Sequence, residues 1–185
     1  MKGGSFTRLT SQPLAPEQVL PTAGCNQAFC AVMATLAGAG DEVILPTPWY
    51  FNHKMWLDMS GVTSVPLPTG ETLLPDPKAA AALITPRTRA VVPVHLYGHP
   101  ADMAAVMEIA EKHNLRVVED AACAIGSTWS GKHAGSFGDA GCFSFHPRKI
   151  ITTGEGGMAV TSNEELAETM SVLRSHGATI SDLDR

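Results

Sequence analysis

Apolar and polar positions alternate in blocks along the chain, and the blocks have two different periods. Some are short apolar runs of the kind that form buried strands. We expect strands at residues 18–20, 42–45, 62–66, 90–95, 115–120, 142–145 and 157–161. Others repeat apolar residues every three or four positions, which predicts helices at 26–37, 51–59, 77–83, 102–113 and 163–175. Strands that alternate with helices favour a three-layer α/β/α fold, with helices on both faces of one sheet.

Glycine and proline residues separate these blocks. Gly38 and Gly40 end the first predicted helix, and Pro77 suits the first position of another. Asn163 is expected to cap the last helix, with Gly177 beyond its end. Residues 68–77 and 126–140 are rich in turn-forming residues and are predicted to be loops; residues 1–15 are predicted to be a flexible N-terminal segment, followed by one domain over residues 16–185.

Composition excludes several classes of protein. The chain has 185 residues, 44% apolar and 17% charged, which suits one globular domain. A net charge of −5 gives no basic surface for nucleic acid, and no apolar run is long enough to span a bilayer. No signal peptide is visible, so we expect a cytoplasmic protein. The four cysteines match no zinc-binding spacing, so we expect no metal site and free thiols at Cys25, Cys30, Cys123 and Cys142.

Three segments of the second half carry most of the chemistry. They read VVEDAACA at residues 117–124, GDAGCFSFHPRK at 138–149 and TTGEGG at 152–157. Two more belong to the same pattern, PVHLYG at 93–98 and LRSHG at 173–177. In this order and with these gaps they resemble the DegT-type aminotransferases, fold type I enzymes that use pyridoxal 5′-phosphate (PLP) and are best known for aminating keto-sugars attached to nucleotides. The resemblance runs from about residue 84 onward.

This resemblance assigns a role to several residues. It implies that Lys149 is the Schiff-base lysine, since an amine is needed to hold the cofactor aldehyde. Asp120, at the end of a predicted strand, is implied to hold the proton of the pyridine nitrogen, and Ser144 to bind the phosphate. Cys123 stands where many members carry a glutamine that bonds the cofactor's phenolic oxygen; a thiol is a poorer hydrogen-bond donor.

The first half resembles a different branch of the same superfamily. Residues 22–29 form a turn between a predicted strand and a predicted helix, a place where free backbone N–H groups bind anions. With residues 38–46 and 49–53, this turn resembles the class I/II aminotransferases from about residue 16 to residue 68. The resemblance implies that Gly24, Cys25 and Asn26 bind the cofactor phosphate. It also implies that Tyr50 stacks on the pyridine ring, with Trp49 as the alternative.

Features of the class I/II branch are missing further along. The strand at Val91 is followed by Pro93-Val94-His95 rather than by an Asn-Pro pair, and Gly157 stands where the class I/II arginine is expected. We therefore predict a junction between two branches at about residues 68–92, whether of natural or recombinant origin. Complete members of both branches carry more chain at both ends. We accordingly expect an incomplete PLP-binding large domain.

The predicted function is amino transfer from a small-molecule donor to a keto acceptor. The second half favours a nucleotide-linked keto-sugar as the acceptor, and the first half favours a 2-oxo acid. Another fold type I reaction on PLP, or PLP binding without turnover, are the alternatives; Lys149 argues against the DegT-like dehydratases, which carry a histidine at that position. The resemblance implies that the complete proteins are homodimers.

Overall fold

The computed structural model describes residues 19–175 and residue 177. Within them the helices are α1 (Cys25–Leu36), α2 (Phe51–Met59), α3 (Pro77–Ala82), α4 (Met103–His113) and α5 (Glu164–Arg174). The strands are β1 (Val19–Thr22), β2 (Glu42–Thr47), β3 (Thr63–Pro68), β4 (Thr88–Val91), β5 (Arg116–Asp120), β6 (Thr128–Trp129), β7 (Lys132–His133), β8 (Ala140–Ser144) and β9 (Gly157–Val160). The segment 1–15, predicted to be flexible, lies outside the described residues.

Seven of these strands form one sheet, in the order β1-β9-β8-β5-β4-β2-β3. The neighbours from β3 to β8 are parallel, whereas β9 is antiparallel both to β8 and to β1. It follows that β1 runs in the same direction as β8, and that β9 begins where these two strands end. The carboxyl ends of the parallel strands therefore share one edge, which is where ligands bind in sheets of this kind.

The two faces of the sheet are covered by different helices. Successive residues of β2 point to opposite faces, so Val43 belongs to the apolar cluster that includes residues of α1 and α5, and Ile44 to the cluster that includes residues of α3 and α4. Phe29 of α1 and Met103 of α4 are both almost completely buried, one on each side. This arrangement confirms the three-layer α/β/α fold predicted from the sequence.

Capping residues begin three of the helices, and one of them, Asn163, was predicted from the sequence. The side chains of Asp76, Asp102 and Asn163 each accept a hydrogen bond from a backbone N–H in the first turn. Pro77 occupies the first turn of α3, where its missing N–H has no consequence. None of the helices in the described part of the chain is long and apolar enough to cross a membrane.

The structure differs from the predicted elements in two places. The predicted loop 126–140 contains the hairpin β6–β7, whose two-residue strands are too short to show an alternating pattern. The strand predicted at 90–95 ends at Val91, because Pro93 has no N–H to continue the ladder. Residues 93–95 still run beside β5, since the N–H of Asp120 donates to Pro93 O (2.9 Å) and the N–H of His95 donates to Asp120 O (3.0 Å).

Candidate active site

The turn between β1 and α1 presents free backbone donors at the carboxyl edge of the sheet. Gly24 caps α1 in an extended conformation without a side-chain hydrogen bond. The first bond within the helix runs from the N–H of Ala28 to Gly24 O (3.2 Å). The N–H groups of residues 25–27 precede it, and a helix leaves such groups without an internal acceptor. Together with the helix dipole they favour an anion at this end of α1.

The same turn lies directly over the first residue of β9. Gly157 pairs with Thr22 on one side and with Ser144 on the other. A Cβ atom at Gly157 would stand 2.3 Å from the carbonyl carbon of Gly24 and 2.4 Å from the nitrogen of Cys25. Only glycine allows this approach. Gly157, which stands where a class I/II enzyme is expected to carry an arginine, is therefore needed for the position of the turn.

Asp120 ends β5 with its carboxylate on the face covered by α1. The backbone of Asp120 is fixed by its hydrogen bonds with Pro93 and His95. The segment Pro93-Val94-His95 therefore positions the end of β5. Its side chain is buried, and Oδ1 accepts a hydrogen bond from the N–H of Ala122 (3.0 Å). Oδ2 faces the imidazole of His53, with Nε2 at 3.6 Å.

Glu119, the preceding residue of β5, points to the opposite face and is fully enclosed. Its Oε1 accepts hydrogen bonds from the N–H groups of Phe137 (2.6 Å) and Gly138 (2.7 Å). Its Oε2 accepts from the N–H of Gly135 (2.7 Å) and lies 2.9 Å from Nε2 of His95. The Nδ1 atom of His95 accepts a hydrogen bond from the N–H of Ala101 (3.0 Å). The ring proton is therefore on Nε2, which donates a hydrogen bond to Glu119.

Lys149 lies in the turn that follows β8, on the same edge of the sheet. Its backbone N–H donates to His146 O (2.9 Å), and its Nζ atom lies 3.0 Å from the Sγ atom of Cys123. Ser144, at the end of β8, is buried, and its hydroxyl oxygen accepts a long hydrogen bond from the N–H of His146 (3.4 Å). The structure therefore brings the predicted lysine next to the cysteine that replaces the family's glutamine.

Cys25, one of four free cysteines, is affected by the charges of Asp120 and Lys149. Burial first, and the charge of Asp120 second, raise the pKa of the Cys25 thiol well above its usual range, while the charge of Lys149 lowers it. The thiol at the start of α1 is thus within reach of the fields of both charged side chains. That Asp120 and Lys149 open into one site bordered by the turn at Gly24 stays a prediction.

Tyr50 and His53 occupy different positions relative to this site. Tyr50 precedes α2, is 49% exposed, and contacts the site through the ring of His53, with ring centroids 5.4 Å apart. His53 is the residue whose side chain faces Asp120, and the sequence interpretation gave it no role. The available signal was its spacing from Leu57, since both are buried on the inner face of α2. The stacking role of Tyr50 stays a prediction.

A second residue without an assigned role lies beside the turn. The Oε2 atom of Glu155 would stand 3.9 Å from a Cβ atom built on Gly24. Its other carboxylate oxygen lies 3.6 Å from Nε2 of His146, and both side chains are substantially exposed. A negative charge is thereby held close to the free N–H groups of α1.

The DegT/DnrJ/EryC1/StrS aminotransferase family matches residues 11–185. The chain belongs to this family. The match covers both halves of the chain, including the first half, which resembles class I/II aminotransferases, and the region 68–92, where we predict a junction. The junction itself stays a prediction.

Two curated relatives match most of this chain. The chain is 46% identical over 155 residues to a GDP-perosamine synthase of Caulobacter vibrioides, a match that covers 83% of this chain and 42% of the relative. It is 45% identical over 157 residues to a UDP-N-acetyl-3-dehydro-alpha-D-glucosamine 3-aminotransferase of Acidithiobacillus ferrooxidans, covering 84% of this chain and 42% of that protein. The chain thus spans less than half the length of these relatives.

Solved structures of the family share the fold. DesV of S. venezuelae, determined in complex with a ketimine intermediate, superposes with a TM-score of 0.83 at 37% identity, over 91% of this chain and 50% of DesV. Aminotransferases of this family depend on PLP. The resemblance to PLP-dependent aminotransferases of fold type I is therefore confirmed at the level of the family.

Proposed function

We propose that this chain forms the cofactor-binding core of a PLP-dependent aminotransferase whose amino acceptor is a keto-sugar carried on a nucleotide. One observation carries the proposal. A lysine amine, a buried carboxylate and the first N–H groups of a helix all lie at the carboxyl edge of one sheet. Each of these three groups suits a different part of PLP.

The residues present fit the cofactor by their chemistry. Lys149 is the amine that would hold its aldehyde, and Asp120 is the carboxylate that would hold the proton of its ring nitrogen. The N–H groups at the start of α1 and the hydroxyl of Ser144 would bind its phosphate. Gly157 leaves the turn at Gly24 unobstructed, which keeps these donors at the surface of the site. Cys123 would lie beside the phenolic oxygen, where its thiol donates only weakly.

Bound PLP would supply an aldehyde that holds amines covalently and a ring that takes up electrons from them. The protein's own contribution is to orient and to move protons. Asp120 would keep a proton at the ring nitrogen; its position is fixed by the bond from the N–H of Ala122 and by its backbone hydrogen bonds with Pro93 and His95. When it is not bonded to the aldehyde, the Nζ atom of Lys149 would accept and return a proton at the substrate carbon, as a general acid and base.

The identity of the relatives favours a keto-sugar over a 2-oxo acid. Both curated relatives named above are sugar-modifying enzymes of more than 40% identity, and they match residues that include the lysine segment. An amino acid of the glutamate type is the donor that we expect. A 2-oxo acid as the acceptor rests on the resemblance of residues 16–68 alone.

Binding of PLP without turnover is the second candidate, and the length of the chain favours it. The chain covers 42% of each of these two relatives, so residues elsewhere in those proteins can contribute to their substrate sites. Catalytic groups must be placed within about 1 Å of their working position, whereas ligand binding tolerates larger errors. We accordingly expect PLP affinity to be retained better than turnover.

A paired titration tests this function. The protein is titrated with PLP while absorbance is recorded, and glutamate is then added to the loaded protein. We expect a saturable band on titration, and its conversion by glutamate if the amino-transfer half-reaction takes place. The converted protein is next offered a keto-sugar nucleotide or 2-oxoglutarate. A band that never forms would contradict the proposal, and conversion reversed only by the 2-oxo acid would contradict the choice of acceptor.

A further inference from the structure

The imidazole of His53 faces the carboxylate of Asp120 from the neighbouring helix. Its Nε2 atom lies 3.6 Å from Oδ2, and the two residues are 3% and 8% exposed. The other carboxylate oxygen is already engaged by the N–H of Ala122. His53 therefore stands next to the oxygen of Asp120 that has room for a further partner.

Two aromatic rings fix the orientation of His53. Phe29 of α1 stacks on it with ring centroids 4.0 Å apart and an interplanar angle of 22°. Tyr50 approaches its edge at 5.4 Å with an angle of 81°. The backbone N–H of His53 donates to Tyr50 O (3.0 Å), which ties the residue to the start of α2. The ring is thus held in place by α1 and by the start of α2.

Burial keeps this imidazole neutral near neutral pH. Desolvation lowers the pKa of His53 and outweighs the negative charge of Asp120, which raises it. The titratable groups around it are the carboxylate of Asp120 on β5, the phenol of Tyr50 beside α2 and the thiol of Cys25 on α1, which lies in the field of Asp120. A neutral imidazole can steady the carboxylate without neutralising its charge.

We infer that His53 is a positioning residue that acts through Asp120, steadying its carboxylate while leaving the negative charge available to a cationic ring nitrogen. This inference rests on the proposed function, because the cationic nitrogen is that of PLP. The N–H of Ala122 then bonds one oxygen, the imidazole of His53 lies against the other, and the carboxylate faces its ligand in one orientation. A protonated His53 would instead pair with Asp120 and compete with the ligand.

The first test needs no cofactor. The imidazole signal of His53, assigned by its loss in His53→Gln, is titrated by NMR in the wild-type chain and in Asp120→Asn. Removing the carboxylate charge should lower the pKa of His53 further. Asp139→Asn, which removes one charge at the opposite end of β5, should leave it unchanged. An equal pKa in wild type and Asp120→Asn would overturn the inference.

The second test uses PLP as the ligand. His53→Phe keeps a ring to stack on Phe29 but removes the nitrogen, whereas His53→Gln restores an N–H donor. We expect PLP affinity to fall about threefold in His53→Phe and less in His53→Gln, a modest effect because Nε2 at 3.6 Å from Oδ2 is too far for a full hydrogen bond. Melting temperatures of both variants identify any loss that arises from unfolding.

The pH profile separates this role from a structural one. Wild-type affinity for PLP should weaken as the pH falls through the pKa of His53, and this step should be missing in both variants. Identical profiles in wild type and variants would overturn the inference. Failure of the wild-type chain to bind PLP would overturn the proposed function and this role with it, whereas the NMR result alone decides whether His53 senses Asp120.

Discussion

Glu119 and Asp120 are adjacent residues of β5, and each has a histidine beside its carboxylate. Glu119 accepts bonds from three backbone N–H groups and from His95 at 2.9 Å, and its side chain has no exposed surface. Asp120 accepts one bond within the structure and has His53 at 3.6 Å. The pleat of the strand sends the first carboxylate to one face of the sheet and the second to the other.

The pair Glu119–His95 is suited to stabilising the fold, whereas the pair Asp120–His53 is suited to binding a ligand. A buried carboxylate whose oxygens are saturated with donors has no capacity for a ligand, and it fixes the segments that donate to it. A carboxylate with one free side, placed at the carboxyl edge of the sheet, can still take a cationic partner. We therefore expect Glu119 to support the folding of residues 135–138 and of the segment at His95, and we propose that Asp120 contacts the cofactor.

The largest effect is expected when the saturated carboxylate is removed. Glu119→Ala leaves three backbone N–H groups and the Nε2–H of His95 without their acceptor inside the protein. We expect the free energy of unfolding to fall by about 3–5 kcal/mol. Urea unfolding of wild type and variant measures this loss. A loss no larger than that of Asp120→Ala would remove the distinction between the two carboxylates.

Asp120→Ala should change stability little but weaken the binding of PLP. Because Asp120 has few partners in the protein, its loss should change stability by no more than about 1 kcal/mol. Its affinity for PLP should fall by about tenfold to a hundredfold, since a hydrogen bond to a charged group is lost. Absorbance titration with PLP and urea unfolding are measured on the same samples. Unchanged affinity would contradict the role of Asp120.

A smaller effect is expected in the pH dependence of stability, to which His53 contributes. Burial lowers the pKa of His53, so the unfolded chain takes up a proton more readily than the folded chain below about pH 6.5. The associated stability is fully present above that pH and is lost as the pH falls through the folded pKa. It amounts to at most about 1.4 kcal/mol for each pH unit.

Urea unfolding at pH 7, 6 and 5 measures this slope. His53→Gln should flatten it, and the matched variant His99→Gln, at an exposed position, should not. A steeper slope in His53→Gln than in wild type would show that the sign is wrong.

The smallest effect is expected at Glu155. Its carboxylate lies close to the N–H groups of α1, where a phosphate would experience repulsion. Glu155→Gln should therefore increase PLP affinity about twofold, an effect that becomes smaller at high salt because the side chain is exposed. Titrations at low and high ionic strength check both statements. Weaker binding in the variant would indicate that Glu155 supports the turn instead.

Much of the fold could be predicted from the sequence because its elements carry local signals. The helix at 51–59 was predicted with the bounds observed for α2, and Asn163 caps α5 as expected. These features depend on nearby residues only. The order of the strands was not predicted, because pairing across the sheet depends on contacts distant in sequence. The hairpin β6–β7 was missed because two residues per strand give no period.

In the candidate site too, residues with a local sequence signal could be predicted and residues that depend on distant contacts could not. Lys149, Asp120 and Ser144 could be proposed because they stand within recognisable segments. His53 was missed because its importance comes from α2 crossing over the end of β5, which no local pattern records. Gly157 was noted only as a missing arginine, and its role depends on how closely the turn at Gly24 approaches β9.

The most direct measurement is reductive labelling of the lysine. The chain is loaded with PLP, reduced with borohydride and digested, and the peptides are identified by mass spectrometry. We expect the pyridoxyl group on the peptide that contains Lys149, no stoichiometric label in Lys149→Arg, and full labelling in the matched variant Lys112→Arg, whose lysine is exposed near the end of α4. Label on another lysine, or equal labelling in Lys149→Arg, would contradict the assignment of this edge of the sheet as the cofactor site.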